Sequence, residues 1–289
     1  MGAIEGRSVL VTGASRGIGL ATCLELAGAG YDVVGTARSA DGAARLTGAA
    51  RALGLTVRSV LLDVDDPASC TRAVTEVAAM TGGGPWALVN NAGFARSGAV
   101  EDVTDEQVRA QLETNLVAPV RLARLVLPGM RDRGGGRIVM ISSVVGRVSM
   151  PLAGWYAASK HALEAVTDAL RMEVEADGVR VTLVEPGMFA TDVWSAAREG
   201  GFPPAPAHPR YAAAYAQVEA IGRHSARLPD PVGVARTVRV ALGNAAPLRR
   251  YLVGVDAVGG VLAETLVPRA VTDYVKALGA GLRSLPWRR

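Results

Sequence analysis

Ser8-Val9-Leu10-Val11, then Thr12-Gly13-Ala14-Ser15-Arg16-Gly17-Ile18-Gly19, then a helix-periodic run to Ala29, is the stretch on which the fold turns. The apolar run reads as a short buried strand. The glycines let backbone N–H groups approach an anion, and the helix behind them brings its positive end to the same point. Glycines at this spacing are weak evidence alone. Between a strand and a helix they mark a phosphate-binding turn built from Gly13, Ser15, Arg16, Gly17, Ile18 and Gly19.

Working outward, strand and helix signals alternate. Asp32–Thr36 is the second strand, followed by a polar helix over Asp41–Leu53 and a third strand, Val57–Leu62, that ends in Asp63-Val64. Asp66-Pro67 opens a helix by N-cap and first-turn proline. Ala87–Val89 is a strand running into Asn90-Asn91-Ala92-Gly93, and Thr104 caps one long helix, Asp105–Arg131, with Asn115 in its middle. Strands at Arg137–Ile141, Arg180–Val184 and Arg250–Val255 follow, with helices through Tyr156 and over Pro231–Leu242 and a helical tail at Val261–Leu278. This alternation predicts an α/β fold, a seven-stranded parallel doubly wound sheet flanked by helices. One domain over 1–289 is expected. Residues 194–230 break the rhythm with Pro203, Pro204, Pro206 and Pro209 among Trp194, Phe202, Tyr211 and Tyr215. A segment of that texture reads as a binding loop or lid, here 188–230, and 256–289 as a C-terminal tail.

Composition removes several function classes. Apolar residues make up 49% of the chain and charged ones 20%, a well-cored globular balance. The net charge of +4 comes from scattered arginines without aromatic interleaving, which argues against a nucleic-acid surface. Two cysteines, Cys23 and Cys70, predict no disulfide framework and fit a reducing cytoplasm. His161, His208 and His224 lack metal-ligand spacing, so no metal is expected. No apolar span reaches membrane length.

Chemistry concentrates at Ser142-Ser143 and at Tyr156-Ala157-Ala158-Ser159-Lys160. Residues four apart share a helical face, so the phenol of Tyr156 and the ammonium of Lys160 reach one bound molecule. A cation about 4 Å from the phenol, at an effective dielectric of ~20, favours the phenolate by roughly 4 kcal/mol, or ~3 pH units. That shift would suit Tyr156 for acid–base work. The competing reading is a half-buried aromatic beside a solvated lysine. Against it, 31 residues are basic and only Lys160 and Lys276 are lysines. Arginine serves wherever charge suffices, whereas an ammonium can release and regain its proton. Ser143 emerges at the carboxyl end of its strand, the edge where open α/β sheets bind ligands.

The second strand ends in Ala37-Arg38, with no Asp or Glu from Val33 to Ala40. An acid near this point would hold a ribose 2′-hydroxyl, whereas the fork of Arg38, with Arg16, suits a 2′-phosphate. NADP(H) is therefore expected over NAD(H).

Together these motifs resemble the short-chain dehydrogenase/reductase family, its single-domain branch, from Thr12 to about Val255. The match runs through Thr12-Gly13 to Gly19, Asp63-Val64, Asn90 to Gly93, Asn115, Ser143, Tyr156 with Lys160, and Pro186-Gly187 with Thr191. The glycine spacing differs from that of the extended branch. Pro186-Gly187-Met188-Phe189 and the tail are similar to hydroxysteroid- and retinol-dehydrogenase-like members. The resemblance implies a single-domain Rossmann fold and an oxidoreductase that moves a hydride between nicotinamide and the carbonyl or secondary alcohol of an apolar small molecule. It gives Tyr156 the proton at the substrate oxygen, Lys160 the nicotinamide ribose, Ser143 the carbonyl oxygen, and Asn115 a water at a helix kink. Asp63, Val64, Asn90, Ala92 and Gly93 would line the adenine–ribose side, Pro186, Gly187 and Thr191 the nicotinamide, and Met188 and Trp194 the substrate. A homodimer or homotetramer is implied. The alternative, a catalytically silent binder of the same fold, would be expected to lose the tyrosine or the lysine.

Overall fold

In the computed structural model, which describes residues 7–191, 206–224 and 227–283, short strands send alternate side chains to opposite faces of one sheet. The strands are β1 (Ser8–Val11), β2 (Asp32–Ala37), β3 (Arg58–Leu61), β4 (Ala87–Asn90), β5 (Gly136–Ile141), β6 (Val179–Pro186) and β7 (Arg250–Val253). All pair in parallel, in the order β3-β2-β1-β4-β5-β6-β7. The doubly wound, seven-stranded Rossmann sheet is therefore as the sequence predicts. Leu10, Leu88, Ile138, Met140 and Leu183 face α3 (Pro67–Thr81), α5 (Ala118–Asp132) and α6 (Gly154–Glu173). Val9, Val11, Val89, Val139 and Val184 face α1 (Gly17–Gly28), α2 (Ala40–Ala52) and α8 (Val232–Gly243). Both faces are covered, which is why the strands read as apolar runs and not as alternation.

Where the strand order reverses, the carboxyl ends of β1 and β4 diverge and leave a crevice. Thr12, 1% exposed, closes its base. Its Oγ1 accepts the N–H groups of Asn91 (3.0 Å) and Ala92 (2.9 Å). In return Asn91 Nδ2 donates to the carbonyls of Thr12 (2.9 Å) and Gly13 (3.1 Å). The close approach admits no side chain at residue 19, because a Cβ there would lie 2.3 Å from the Gly13 oxygen.

Three elements differ from their sequence reading. The helix expected over 105–131 is α4 (Asp105–Leu112), a π-helical turn over Glu113–Val117, and then α5. The wider turn shifts the register of the helix and brings Asn115 fully inside. Within the excursion, the described part after residue 205 holds a helix, α7 (Ala212–Arg223), so it is not simply a loop. The tail starts earlier and is two helices, α9 (Val255–Leu266) and α10 (Arg269–Gly279), separated at Val267-Pro268. Proline lacks the N–H that a continuous helix would use, and it disfavours helical geometry in the residue before it. No helix among the described residues is long and apolar enough to cross a membrane.

The Thr12 clamp generates the first prediction. Thr12→Val keeps the shape but leaves two N–H groups without an acceptor, each costing about 1–3 kcal/mol when buried. Urea unfolding should show a loss of roughly 2 kcal/mol or more. A change within ~0.5 kcal/mol, the usual scatter of a surface substitution, would contradict the clamp.

Candidate active site

A cleft of about 730 Å³ follows the carboxyl edge of the sheet. Gly13, Ser15, Arg16, Gly17 and Ile18 line it at the glycine turn, and Arg38, Asp63 and Val64 line the end above β2 and β3. Ala92, Gly93, Ser143, Tyr156, Lys160, Pro186, Gly187, Met188 and Thr191 complete the predicted set along it. Three expected residues stand off. Gly19 is buried beneath the turn. Asn90 points into the fold, its Nδ2 donating to the Pro119 carbonyl (3.0 Å) and contacting Met140 Sδ (3.2 Å), while Asn91 takes the wall position. Asn115 lies behind the wall. Trp194 is outside the described residues.

The sequence reading missed several lining residues. Arg45, in the second turn of α2, adds a third guanidinium to the end held by Arg16 and Arg38. Its signal was weak, one exposed arginine among many. Asp65 lies at the same end, its Oδ1 accepting a 2.7 Å hydrogen bond from Thr114 Oγ1. At the opposite end Phe94, Val148, Leu152, Val218 and Ile221 form an apolar wall around Met188. The last pair comes from α7, whose Tyr215 hydroxyl accepts from the Ala99 N–H (3.0 Å) and donates to Asp102. Tyr215 thus anchors this helix, and Val218 and Ile221 face the cleft. Asp256, at the start of α9, accepts the Met188 N–H at 2.6 Å, and its carboxylate occupies the place a Cβ on residue 187 would take, 2.2 Å away.

Helix α1 is open at its positive end. Ser39, Asp66 and Thr104 cap α2, α3 and α4 by side-chain hydrogen bonds. Arg16, the N-cap of α1, makes no such bond, and the first turn carries no acid. Uncapped N–H groups facing three guanidiniums form a site for phosphate. With a lining that runs from this turn to Thr191, the residues present fit a dinucleotide.

Asn115 is the hub of the middle. Its Oδ1 accepts the Phe94 N–H (3.0 Å), and its Nδ2 donates to the Phe94 carbonyl (2.8 Å) and to Ser159 Oγ (3.1 Å). Ser159 Oγ in turn donates to the Tyr156 carbonyl at 2.7 Å. Both amide donors are therefore spent fastening the segment after β4 to the first turn of α6.

The electrostatics reverse the simple expectation. Lys160 Nζ donates to the Ile141 carbonyl at 2.9 Å and lies 6.0 Å from the centre of the Tyr156 ring. Burial pushes the Tyr156 pKa up to about 12, with a hydrogen bond from Ser143 opposing it. Burial also pushes Lys160 down to about 8, with Glu164 opposing. Tyr156 and Lys160 share a helical face, and burial is the larger influence on each.

Residues 7–201 match the family described as short chain dehydrogenase. Over 190 residues the chain is 43% identical to the uncharacterized oxidoreductase YbbO of Escherichia coli, covering 66% of this chain and 68% of that protein. It is 36% identical, over 68% of this chain and 70% of the relative, to the NADPH-dependent 3-dehydrocapnine reductase of Ornithobacterium rhinotracheale. A short chain dehydrogenase/reductase from Burkholderia phymatum, solved in complex with NAD, superposes with a TM-score of 0.79 at 25% identity, over 95% of this chain and 97% of that one. A family match across most of the chain, on a sheet and cleft of this form, leads to one conclusion: the protein belongs to the short chain dehydrogenase family of oxidoreductases.

Proposed function

We propose that the protein is an NADP(H)-dependent carbonyl reductase or secondary-alcohol dehydrogenase acting on an apolar small molecule. The observation that carries this reading is the polarity of the cleft, with Arg16, Arg38 and Arg45 at one end, Ser143, Tyr156 and Lys160 midway, and an aliphatic wall at the other. When bound, the nicotinamide supplies or accepts the hydride. Arg38 and Arg45 hold the 2′-phosphate, and the open end of α1 holds the bridging phosphates. Ser143 Oγ donates to the substrate oxygen, and Tyr156 Oη gives it a proton or takes one from it. Lys160 binds ribose hydroxyls and contributes positive charge. Phe94, Leu152 and Val218 exclude water from the reacting atoms. One domain over 1–289, with 188–230 as the substrate-binding part, goes with this reading. So does a dimer or tetramer through the faces of α5 and α6, where Ala158 and Ala165 are exposed.

The cofactor assignment is tested by titration. NADP(H) should bind more tightly than NAD(H) by the worth of one or two charged hydrogen bonds, each about 1.5–3 kcal/mol. Arg38→Asp should erase or reverse that preference. Equal affinity of the wild type for both cofactors overturns it.

The acid–base role has two readouts. Tyr156→Phe should abolish nearly all turnover on a panel of ketones and aldehydes while NADPH still binds. Retention of more than about a tenth of wild-type activity, under ~1.4 kcal/mol of transition-state stabilisation, is incompatible with the role. Because burial holds the phenol up near 12 in the protein alone, a positive charge arriving in the cleft must lower it. Ultraviolet titration up to pH ~10, the range of free tyrosine, should show no Tyr156 phenolate in the protein alone. Saturating NADP⁺ should bring one out, seen as the difference between wild type and Tyr156→Phe. An unchanged difference on adding NADP⁺ counts against the role.

A further inference from the structure

Below the catalytic lysine the same helical stripe continues as Lys160, Glu164 and Asp168, and the first two are 6% and 5% exposed. Glu185, on β6 immediately before Pro186, is 0% exposed and meets Glu164 from the sheet. Arg250 of β7 lies between them, its Nε 3.1 Å from Glu164 Oε2 and 3.1 Å from Glu185 Oε1. That nitrogen carries one hydrogen, which is directed to Glu164. Nη2 of the same side chain is held by Asp168. Arg147, partly exposed, stands 3.7 Å from Glu185 Oε2, and Arg171 is paired with Asp168 at 2.7 Å. Both oxygens of Glu185 and Oε1 of Glu164 are consequently buried without a hydrogen bond, as is the hydroxyl oxygen of Ser142. Two bare carboxylates would oppose acceptor to acceptor at a buried site, a costly arrangement.

We propose that Glu164 and Glu185 share a single proton at neutral pH, held as a carboxylic acid on Glu185 that donates to the Glu164 carboxylate. One proton converts the clash into a charge-assisted hydrogen bond and supplies a donor for the open acceptors. The charged and titratable groups facing the pair are Lys160, Asp168 and Arg171 from α6, Arg147 from the turn after β5, and Arg250 from β7. Burial and the neighbouring Glu164 both raise the pKa of Glu185, in agreement with this count. The unit keeps one negative charge behind Lys160, and Glu164 is a positioning residue that sustains its ammonium. That last step rests on the function proposed above.

Infrared spectra of the whole protein at pH 7 test the proton directly. A carboxylic-acid carbonyl band present in the wild type and absent from Glu185→Gln supports the pair; its absence from the wild type overturns it, whether or not the variant folds. Urea unfolding between pH 5 and 9 gives a second measurement. A group whose folded pKa is raised contributes stability at low pH that is lost as pH rises through that pKa. Wild type should therefore weaken with rising pH relative to Glu185→Gln, approaching a tenfold change in unfolding constant per pH unit where the proton leaves. A constant difference over the range overturns the sharing. For the positioning role, Glu164→Gln should move the limb of the turnover–pH profile set by Lys160 down by about one unit, and Glu185→Gln should not. A profile unmoved by Glu164→Gln removes that role. Absence of turnover in the wild type would instead refute the proposed function, leaving the infrared and unfolding results to decide the pair.

Discussion

The crevice between β1 and β4 is open only because its floor is hydrogen-bonded. Parallel strands that part company leave backbone donors and acceptors with no ladder partner, and buried groups of that kind are rarely left unpaired. Thr12 and Asn91 supply the missing partners from side chains, which allows the chain to turn away from the sheet at Gly13 and at Ala92 without stranding them. From this fastening the cleft's geometry follows. It fixes where α1 begins, hence where its open positive end points, and it places the segment through Gly93 and Phe94 that Asn115 then ties to α6. Loosen the clamp and the phosphate end and the catalytic end lose their common frame.

Helix α6 carries a second constraint, the burial of charge. Lysine and glutamate are seldom this enclosed without compensation. Lys160 finds it in the Ile141 carbonyl and in the field of Glu164, and Glu164 finds it in Arg250 on the last strand of the sheet. Helix α6 is thus fastened at its charged stripe to β5 and β7 as well as through its apolar face. The same residues that stabilise its position set the electrical conditions for Lys160. Packing and proton chemistry cannot be tuned independently here.

How much of this was legible beforehand depends on the range of the interaction. Strands such as Ser8–Val11 and Arg137–Ile141 announce themselves, because burial on both faces writes an unbroken apolar run. The cap residues Asp66 and Thr104 act within a turn of their own helix, and their reading holds. The π turn at Glu113–Val117 has no such local mark, since one extra residue in a helical turn leaves the composition unchanged. Pro268 did mark the break in the tail, although periodicity alone carried the reading across it. Residues four apart on α6 were rightly placed on one face, yet spacing cannot say which way a long side chain extends. Lys160 donates to the Ile141 carbonyl, and burial, not the lysine, dominates the phenol's shift. Glu185 carries no mark in the sequence, because its importance arises only where β6, β7 and α6 meet.

That reversal at Tyr156 has a physical consequence for how such a site must work. A phenol already ionised at neutral pH would be a buried anion whenever the cleft lacked a cation, and the fold would bear that cost continuously. With the pKa pushed up to about 12 and Lys160 lowered to about 8, the protein alone keeps the phenol protonated and limits the penalty on the ammonium. The positive charge that makes the phenolate accessible is then partly the ligand's own. Ser143, whose contact with the phenol opposes that rise, lines the same cleft. On the proposed function, desolvation holds Tyr156 protonated until a charged ligand enters the cleft. On that reading, binding and chemistry are coupled through the electrostatics of the cleft.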